Sequence, residues 1–353
     1  MTDILIIGGG IAGVSAAAAL APYARVTLLE AESAIGTQAS GRSAAMFLAD
    51  YGNPVVQALN RASYKDLQKV LTPRGMLLVG RAEDATAFTA EYSGFGMAQV
   101  SVAEAIERLP ILDPSQLAYA AHREDVFDLD TDLLLQSYAR AARKQGAKIE
   151  CTAKVNAISR AGNGWKVDAG GAAYKAEILI NAAGAWADDV AKLAGVAPIG
   201  IQPYRRSMAR LPAPNGHDVR HWPFVISVGE RWYAKPDAGS WLVSPADAEL
   251  MEPHDTWADD MVLAEGLARY EEMVTESVVR LQSSWAGLRS FAPDNTLVVG
   301  ADKAVPTFFW LAGQGGYGFQ SAPAASRLVA DLVLGRAPVL EAGVVQALSP
   351  HRF

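Results

Sequence analysis

The apolar positions of the chain fall into short runs broken by glycine and longer stretches with helical spacing. The first of these units is the sharpest. Ile4-Leu5-Ile6-Ile7 is a continuous apolar run of buried-strand type. The Ala-rich stretch 14–21 predicts a helix. Residues 25–29 predict a second strand that ends in Glu30. From 46 to 129 the pattern changes: helical spacing over 55–70, 83–92 and 102–109, with a strand at 75–80 and another short element at 126–129. An amphipathic helix over 132–145 follows, with Asp130, Thr131 or Asp132 as its cap and Gly146 at its end. Strands are expected at 148–151, 154–159, 164–168 and 177–182, then a helix over 186–195. Residues 201–284 read as short aromatic and branched strands (202–210, 224–228, 231–235, 240–243) and a helix over 256–275. The end of the chain returns to the first style, with strands at 296–300 and 307–312, a Gly-rich turn, and a helix over 322–334.

This alternation predicts an α/β protein of two interleaved, discontinuous domains. A nucleotide-binding domain takes 1–45, 130–200 and 285–353. A second domain, rich in antiparallel strand, takes 46–129 and 201–284. A length of 353 residues is enough for two cores.

Between the first strand and helix lies Gly8-Gly9-Gly10-Ile11-Ala12-Gly13, a G-x-G-x-x-G in its proper βαβ setting. Gly8 allows the tight turn, Gly10 lets backbone approach a pyrophosphate, and Gly13 lets helix and strand pack closely. The N-terminus of the helix that follows offers free N–H groups to a phosphate, with Ile11 and Ala12 of the turn beside the same ligand. Glu30, followed by Ala31, stands 22 residues after Gly8, where a carboxylate can accept from ribose hydroxyls. Glu30 argues against a 2′-phosphate, and the motif alone leaves FAD and NAD open.

Three further stretches offer backbone or small side chains to the same ligand. Ser40-Gly41-Arg42-Ser43-Ala44-Ala45 carries N–H groups and one guanidinium for phosphates, or is a polar helix start capped by Ser40. The run 177–182 ends at Ala183, Gly184 and Trp186. Gly315, Gly316, Tyr317, Gly318, Phe319 and Gln320 open the last helix, a second anion-ready N-terminus. Arg289, set among Trp285, Gly287, Leu288 and Phe291, is predicted to be buried and to need an anion.

Composition narrows the classes. Half the chain is hydrophobic and 20% charged, as in ordinary globular proteins, and a net charge of −7 argues against nucleic acid. The single Cys151 excludes an intrachain disulfide, suits a reducing compartment, and reads as a buried inert thiol in a short strand. The apolar run 4–21 is interrupted by a glycine triplet and is not read as a membrane span; Asp3 takes the place of a basic leader region. A cytoplasmic protein without a transmembrane segment is expected, with loose attachment to a membrane surface left open. His122, His217, His221 and His254 lie in loop-like stretches and are assigned no chemistry, and no metal set is read.

Gly8–Gly13 with Glu30, GRSAA from Gly41, NAAGAW from Asn181, Arg205-Arg206-Ser207, YAKPDAG from Tyr233, WAGLRSF from Trp285 and QGGYG from Gln314 together resemble the D-amino acid oxidase superfamily of FAD-dependent amine oxidoreductases. The likeness covers nearly the whole chain, and is greatest to bacterial D-amino acid dehydrogenases of the D-arginine dehydrogenase type. It implies a Rossmann-like FAD domain roofed by a discontinuous antiparallel sheet. It implies non-covalent FAD held by the glycines and small residues named above, with Val155. It implies oxidative deamination of a D-amino acid to a 2-oxo acid and ammonia, by hydride transfer from Cα to flavin N5, with electrons passed to a quinone or similar acceptor. Arg289 would grip the substrate carboxylate, with Arg206, Tyr233 and Tyr317 in the same pocket and Tyr51 on a lid, though each tyrosine also reads as core packing.

Two departures bear on specificity. Relatives that take D-arginine carry a histidine where this chain has Met46 and an acid where it has Gly75. With Leu48, Phe224, Ile226 and Phe319 these positions imply an apolar pocket and neutral D-amino acids, Asp50 being the one substitute counter-charge. Sarcosine-oxidase-like members place a lysine over the flavin from the strand that here reads 241–244, which has none. The alternatives are a peroxide-forming glycine or sarcosine oxidase, a flavin-binding scaffold without turnover, and an NAD-dependent dehydrogenase.

Overall fold

In the computed structural model, which describes residues 3–353, the apolar runs of the nucleotide half pair into one six-stranded sheet. Its order is Val298–Ala301, Phe308–Ala312, Ile178–Asn181, Ile4–Ile7, Val26–Leu29 and Lys148–Glu150. All neighbours are parallel except the first two. Sheets of this kind are covered on both faces, which is why Ile4–Ile7 reads as continuous apolar residues rather than an alternation. Ile4 and Ile6 pack with the helices Ile11–Leu20, Thr131–Lys144 and Gly318–Val333. Leu5 and Ile7 pack on the other face with Trp165 and Val167 of a three-stranded meander and with helix Ala187–Leu193.

The stretches between the nucleotide-binding segments contribute to a nine-stranded sheet. Its path is Glu249–Leu250, Gln202–Leu211, Ser240–Ser244, Tyr233–Asp237, Phe224–Ser227, Met76–Gly80, Tyr119–Arg123 and Ala98–Val100. Strands from both stretches meet where Phe224–Ser227 lies parallel to Met76–Gly80. One face buries Leu77, Val79, Trp232 and Trp241 against helix Asp260–Glu271, where Trp241 Nε1 donates to the Tyr270 hydroxyl at 3.0 Å. The other face presents Met76, Leu78, Met208, Ile226, Tyr233 and Leu242.

Several boundaries differ from the sequence expectation. The ninth strand, Ser283–Phe291, was expected with the nucleotide half from residue 285, yet it pairs along Gln202–Leu211. Its small residues explain this double membership. It hydrogen-bonds into one sheet, while Gly287 lets it lie against the 39–42 turn of the other half, 3.2 Å separating the Arg42 Cβ from where a Cβ on Gly287 would be. The helix expected over 256–275 is only Asp260–Glu271, because Asp259 caps it by accepting from the Met261 and Val262 amides. His122 lies on strand Tyr119–Arg123, not in a loop, and burial pushes its pKa down. Cys151 falls just past Lys148–Glu150 and is only half-buried; burial and the nearby Glu30 push its thiol pKa up.

Candidate functional site

A cavity of about 710 Å³ is lined by residues of both sheets. One set comes from the strand ends and turns of the six-stranded sheet. Gly8, Gly10, Ile11, Ala12, Glu30 and Ala31 lie on its wall, as do Val155, Ala183, Gly184 and Trp186. So do Ser40, Arg42, Ser43, Ala44 and Ala45, and Gly315, Gly316, Gly318, Phe319 and Gln320. Gly13 and Gly41 are not on the wall. Gly13 serves the close approach expected of it: a Cβ there would stand 1.9 Å from the Gly8 carbonyl oxygen.

Glu30 reaches back to the glycine turn, its two oxygens accepting from the Gly9 amide at 2.5 Å and the Glu32 amide at 2.8 Å. Burial pushes its pKa up, and those amide hydrogen bonds oppose the push. The Ile11 amide donates to Ser40 Oγ at 3.0 Å, so the 40–45 segment is tied directly to the helix start. Ala45 holds a left-handed backbone with φ 61°, rare for a residue with a side chain. Its neighbour Ala44 is held from behind, the Lys235 ammonium donating to the Ala44 carbonyl at 3.1 Å.

Arg42 corrects an expectation. Its guanidinium donates to Asp255 at 2.5 Å and to the Thr256 and Ala286 carbonyls at 2.8 and 3.0 Å. It therefore pins the 39–42 turn to the other half, and is not a free phosphate ligand. Sequence spacing could not show this, because the partners lie more than 200 residues away.

The second set of wall residues comes from the nine-stranded sheet and the segment after Ala45. Met46, Leu48, Met76, Phe95, Val126, Met208, Phe224 and Ile226 give an apolar surface. Tyr51, Arg206, Glu230, Tyr233 and Arg289 give a polar one. Strand register brings the two arginines together: Arg206 is paired with Gly287, two residues before Arg289 and on the same face. Arg289 is half-buried and lies on the cavity wall. Burial works against its charge, but the Tyr51 and Tyr233 hydroxyls and the Glu230 carboxylate outweigh this and push its pKa up. Among the described residues no carboxylate lies within ion-pair distance of it.

Gly75 and Tyr317 are not on the wall. A Cβ on Gly75, which holds φ 72°, would meet His122 Nε2 at 3.0 Å. Tyr317 packs edge-on against Tyr51 with ring centres 5.2 Å apart, and burial raises its hydroxyl pKa to about 12, against the pull of Arg289.

Asp50 supplies no free charge. It pairs with Arg61 at 2.5 Å and Arg123 at 2.8 Å, anchoring the segment that carries Tyr51. Burial opposes its ionisation, but the two arginines win and hold its pKa below the ordinary 3.8. A depressed carboxylate pKa gives stability that is fully present above the unfolded value and lost as pH falls through the folded one. Asp50→Asn is therefore expected to lower the melting temperature near pH ~6, with the deficit shrinking as pH falls below the ordinary 3.8. A pH-independent deficit in thermal denaturation would show that Asp50 acts by packing alone.

Glu230 was missed by sequence reasoning. It lies in a turn signalled only by Gly229, and its partner Arg206 is 24 residues away. Lys235 was missed too. It is buried and lies opposite Leu242 of the neighbouring strand, but its ammonium bonds Asp128 at 2.5 Å and Ala44, and it is not on the cavity wall.

The wall fits a dinucleotide. An acid for ribose and a glycine turn at a helix start lie beside small residues. Gly184, at φ 57°, has no atom within 4 Å of where its Cβ would point, so a ligand can lie against its backbone.

Comparison with known proteins agrees. Glycine oxidase from Geobacillus kaustophilus superposes with a TM-score of 0.83 at 22% identity, covering 100% of this chain and 99% of that one. L-Proline dehydrogenase from P. horikoshii does so with a TM-score of 0.83 at 23% identity, covering 100% and 97%. These likenesses show the fold. The FAD-dependent oxidoreductase domain-containing protein 1 of Xenopus laevis is 27% identical over 179 residues, 44% of this chain and 34% of that protein. The chain thus spans about a third of the length of the curated relatives it matches first. The profile of the family described as "FAD dependent oxidoreductase" matches residues 3–332. With that match over most of its length, the chain belongs to the FAD dependent oxidoreductase (DAO) family, with FAD as its cofactor.

Proposed function

We propose that the protein is a dehydrogenase that oxidises the Cα–N bond of neutral, apolar D-amino acids, giving an imine that hydrolyses to a 2-oxo acid and ammonia. The observation that carries this reading is Arg289, an enclosed guanidinium on the wall of the FAD cavity with no carboxylate partner among the described residues. A substrate carboxylate completes it through two parallel hydrogen bonds. Bound FAD supplies the acceptor for the hydride leaving Cα.

The chain's own residues do the rest. Arg289 fixes the carboxylate and so the direction in which Cα faces, which supplies orientation. Tyr51 and Tyr233 flank it, and Tyr51 closes the cavity while supported by Tyr317. The side chain of the substrate meets Met46, Leu48, Phe224 and Ile226. A guanidinium tail there would lie without a counter-charge, since Asp50 is taken by two arginines. No histidine stands on the wall, so the amine gives up its proton to water before oxidation. The D configuration follows from the sequence resemblance. The commitment of Lys235 to Asp128 and Ala44 supports a non-oxygen acceptor such as a quinone.

The test is anaerobic bleaching of the flavin band by D-leucine, D-methionine, D-phenylalanine, D-arginine, their L-forms, glycine and sarcosine. The apolar D-forms are expected to reduce the flavin at least about tenfold faster than D-arginine, the difference a single poorly compensated charge makes. Fast reduction by D-arginine would remove the pocket assignment. Reduction by sarcosine or glycine alone, with peroxide formed in air, would make the protein an amine oxidase. No reduction by any of them would favour a scaffold.

A further inference from the structure

Glu230 is the one carboxylate on the cavity wall close to the two arginines, and nothing in the proposed chemistry uses it. Its Oε1 accepts from Arg206 Nη1 at 2.8 Å, and Arg206 lies over the Tyr233 ring at 5.8 Å. The rest of the Arg206 side chain is enclosed, and its Nε is buried without a partner.

The turn that carries Glu230 is built to display it. Gly229 and Glu230 both hold left-handed backbone, at φ 75° and 48°. A residue with a long side chain is rare there, and such strain persists only where the surroundings enforce it. They do so here at both flanks. The Gly229 amide donates to Glu91 Oε1 at 2.8 Å. Arg231 donates to Asp84 Oδ2 at 2.6 Å and to the Val228 carbonyl at 3.1 Å.

The charges at this part of the wall then count simply: Arg206 and Arg289 are positive and Glu230 is negative. Arg206 is balanced by Glu230, and Arg289 is left over. We propose that Glu230 is a specificity-determining residue: by occupying Arg206 it limits the site to substrates with one carboxylate, which goes to Arg289. The inference rests on the carboxylate role given to Arg289 above. A substrate with two carboxylates would place its second one against Glu230, where like charge repels and no cation is free. Removing the charge of Glu230 releases Arg206 as a second carboxylate site.

The experiment uses the FAD-loaded protein and reads binding as well as turnover. Non-reacting acids perturb the flavin spectrum when they bind: 4-methylpentanoate carries one carboxylate and glutarate two. Their dissociation constants are measured for wild type, Glu230→Gln and Glu230→Ala, beside anaerobic reduction by D-leucine and D-glutamate. Wild type is expected to favour the monoacid. Both variants should shift the ratio toward glutarate by about tenfold or more, the scale of one charge-assisted bond gained and one repulsion lost. D-Glutamate should become a better reductant in the same variants. Two replacements of different size keep the result independent of one variant's folding.

Monoacid binding and D-leucine reduction with an unchanged glutarate ratio would overturn the role of Glu230 and leave the proposed function standing. Glutarate binding wild type as tightly as the monoacid would overturn it as well. Failure of every acid to bind any of the three proteins would bring down the carboxylate role of Arg289, and this inference with it.

Discussion

Arg289→Ala is expected to abolish useful turnover while leaving the protein yellow. Arg289 stands on strand Ser283–Phe291, on the cavity wall, with the Tyr51 and Tyr233 hydroxyls as its polar neighbours. Removing one partner of a buried charge pair costs about 3–5 kcal/mol, so kcat/KM for a D-amino acid should fall roughly hundred- to several-thousand-fold. Both kcat and KM should change, because the proposed carboxylate clamp would set the pose as well as the affinity. Arg289→Lys restores the charge but not the planar fork, and should recover only part of the loss. Flavin content is the control, since the glycine turn and Glu30 come from other segments of the wall. Steady-state kinetics with near-wild-type activity in the alanine variant would reassign the carboxylate to Arg206.

The residues that were legible in the sequence are those whose partners are local. Ile4–Ile7, the glycine turn and the strand ending before Glu30 form a contiguous unit in which strand, turn and helix each leave a composition mark; the strands are where the pattern put them, and the helix starts three residues earlier, at Ile11. Asp130 was one of three candidate caps, and it does accept the Leu133 amide at 2.9 Å. Arg289 was legible for another reason: a charge inside an apolar segment has to go somewhere specific.

What could not be read is set by pairing across the chain. Arg42 looked like a phosphate ligand because Asp255 and Thr256 are invisible to local spacing. Glu230 carried no mark in the sequence, because only the fold brings it to Arg206. The pairing of strand Ser283–Phe291 along Gln202–Leu211 could not be read either, because its small residues touch one layer while its hydrogen bonds go to the other. Edge strands such as Ala98–Val100 and Glu249–Leu250 are three and two residues long and leave no periodicity to detect.

The other large effect is expected far from Arg289, at Gly13. A Cβ there would sit 1.9 Å from the Gly8 carbonyl oxygen and 3.3 Å from Ile6 Cγ2. Neither neighbour can yield. Gly8 is tied by its amide to the Leu29 carbonyl at 2.9 Å, holds φ 111°, and is backed by Ala182, whose carbonyl oxygen is 2.3 Å from where a Cβ on Gly8 would be. The added methyl of Gly13→Ala must therefore push the helix Ile11–Leu20 off the strand, carrying away the Ile11 amide and its bond to Ser40. Overpacking of this kind costs about 1–3 kcal/mol in the protein itself. Loss of the cofactor adds to it, because a ligand present at a thousand times its dissociation constant contributes about 4 kcal/mol of stability. Gly13→Ala should purify colourless, melt well below wild type, and gain nothing when FAD is added. Gly343→Ala is the matched control: that glycine lies in helix Ala342–Leu348 with nothing within 4 Å of its would-be Cβ, and alanine there should be neutral or stabilise by up to about 1 kcal/mol. A yellow Gly13→Ala protein with wild-type stability would mean that the helix has room to move. The close approach, and not merely the presence of a glycine-rich sequence, would then no longer explain how this turn meets its cofactor.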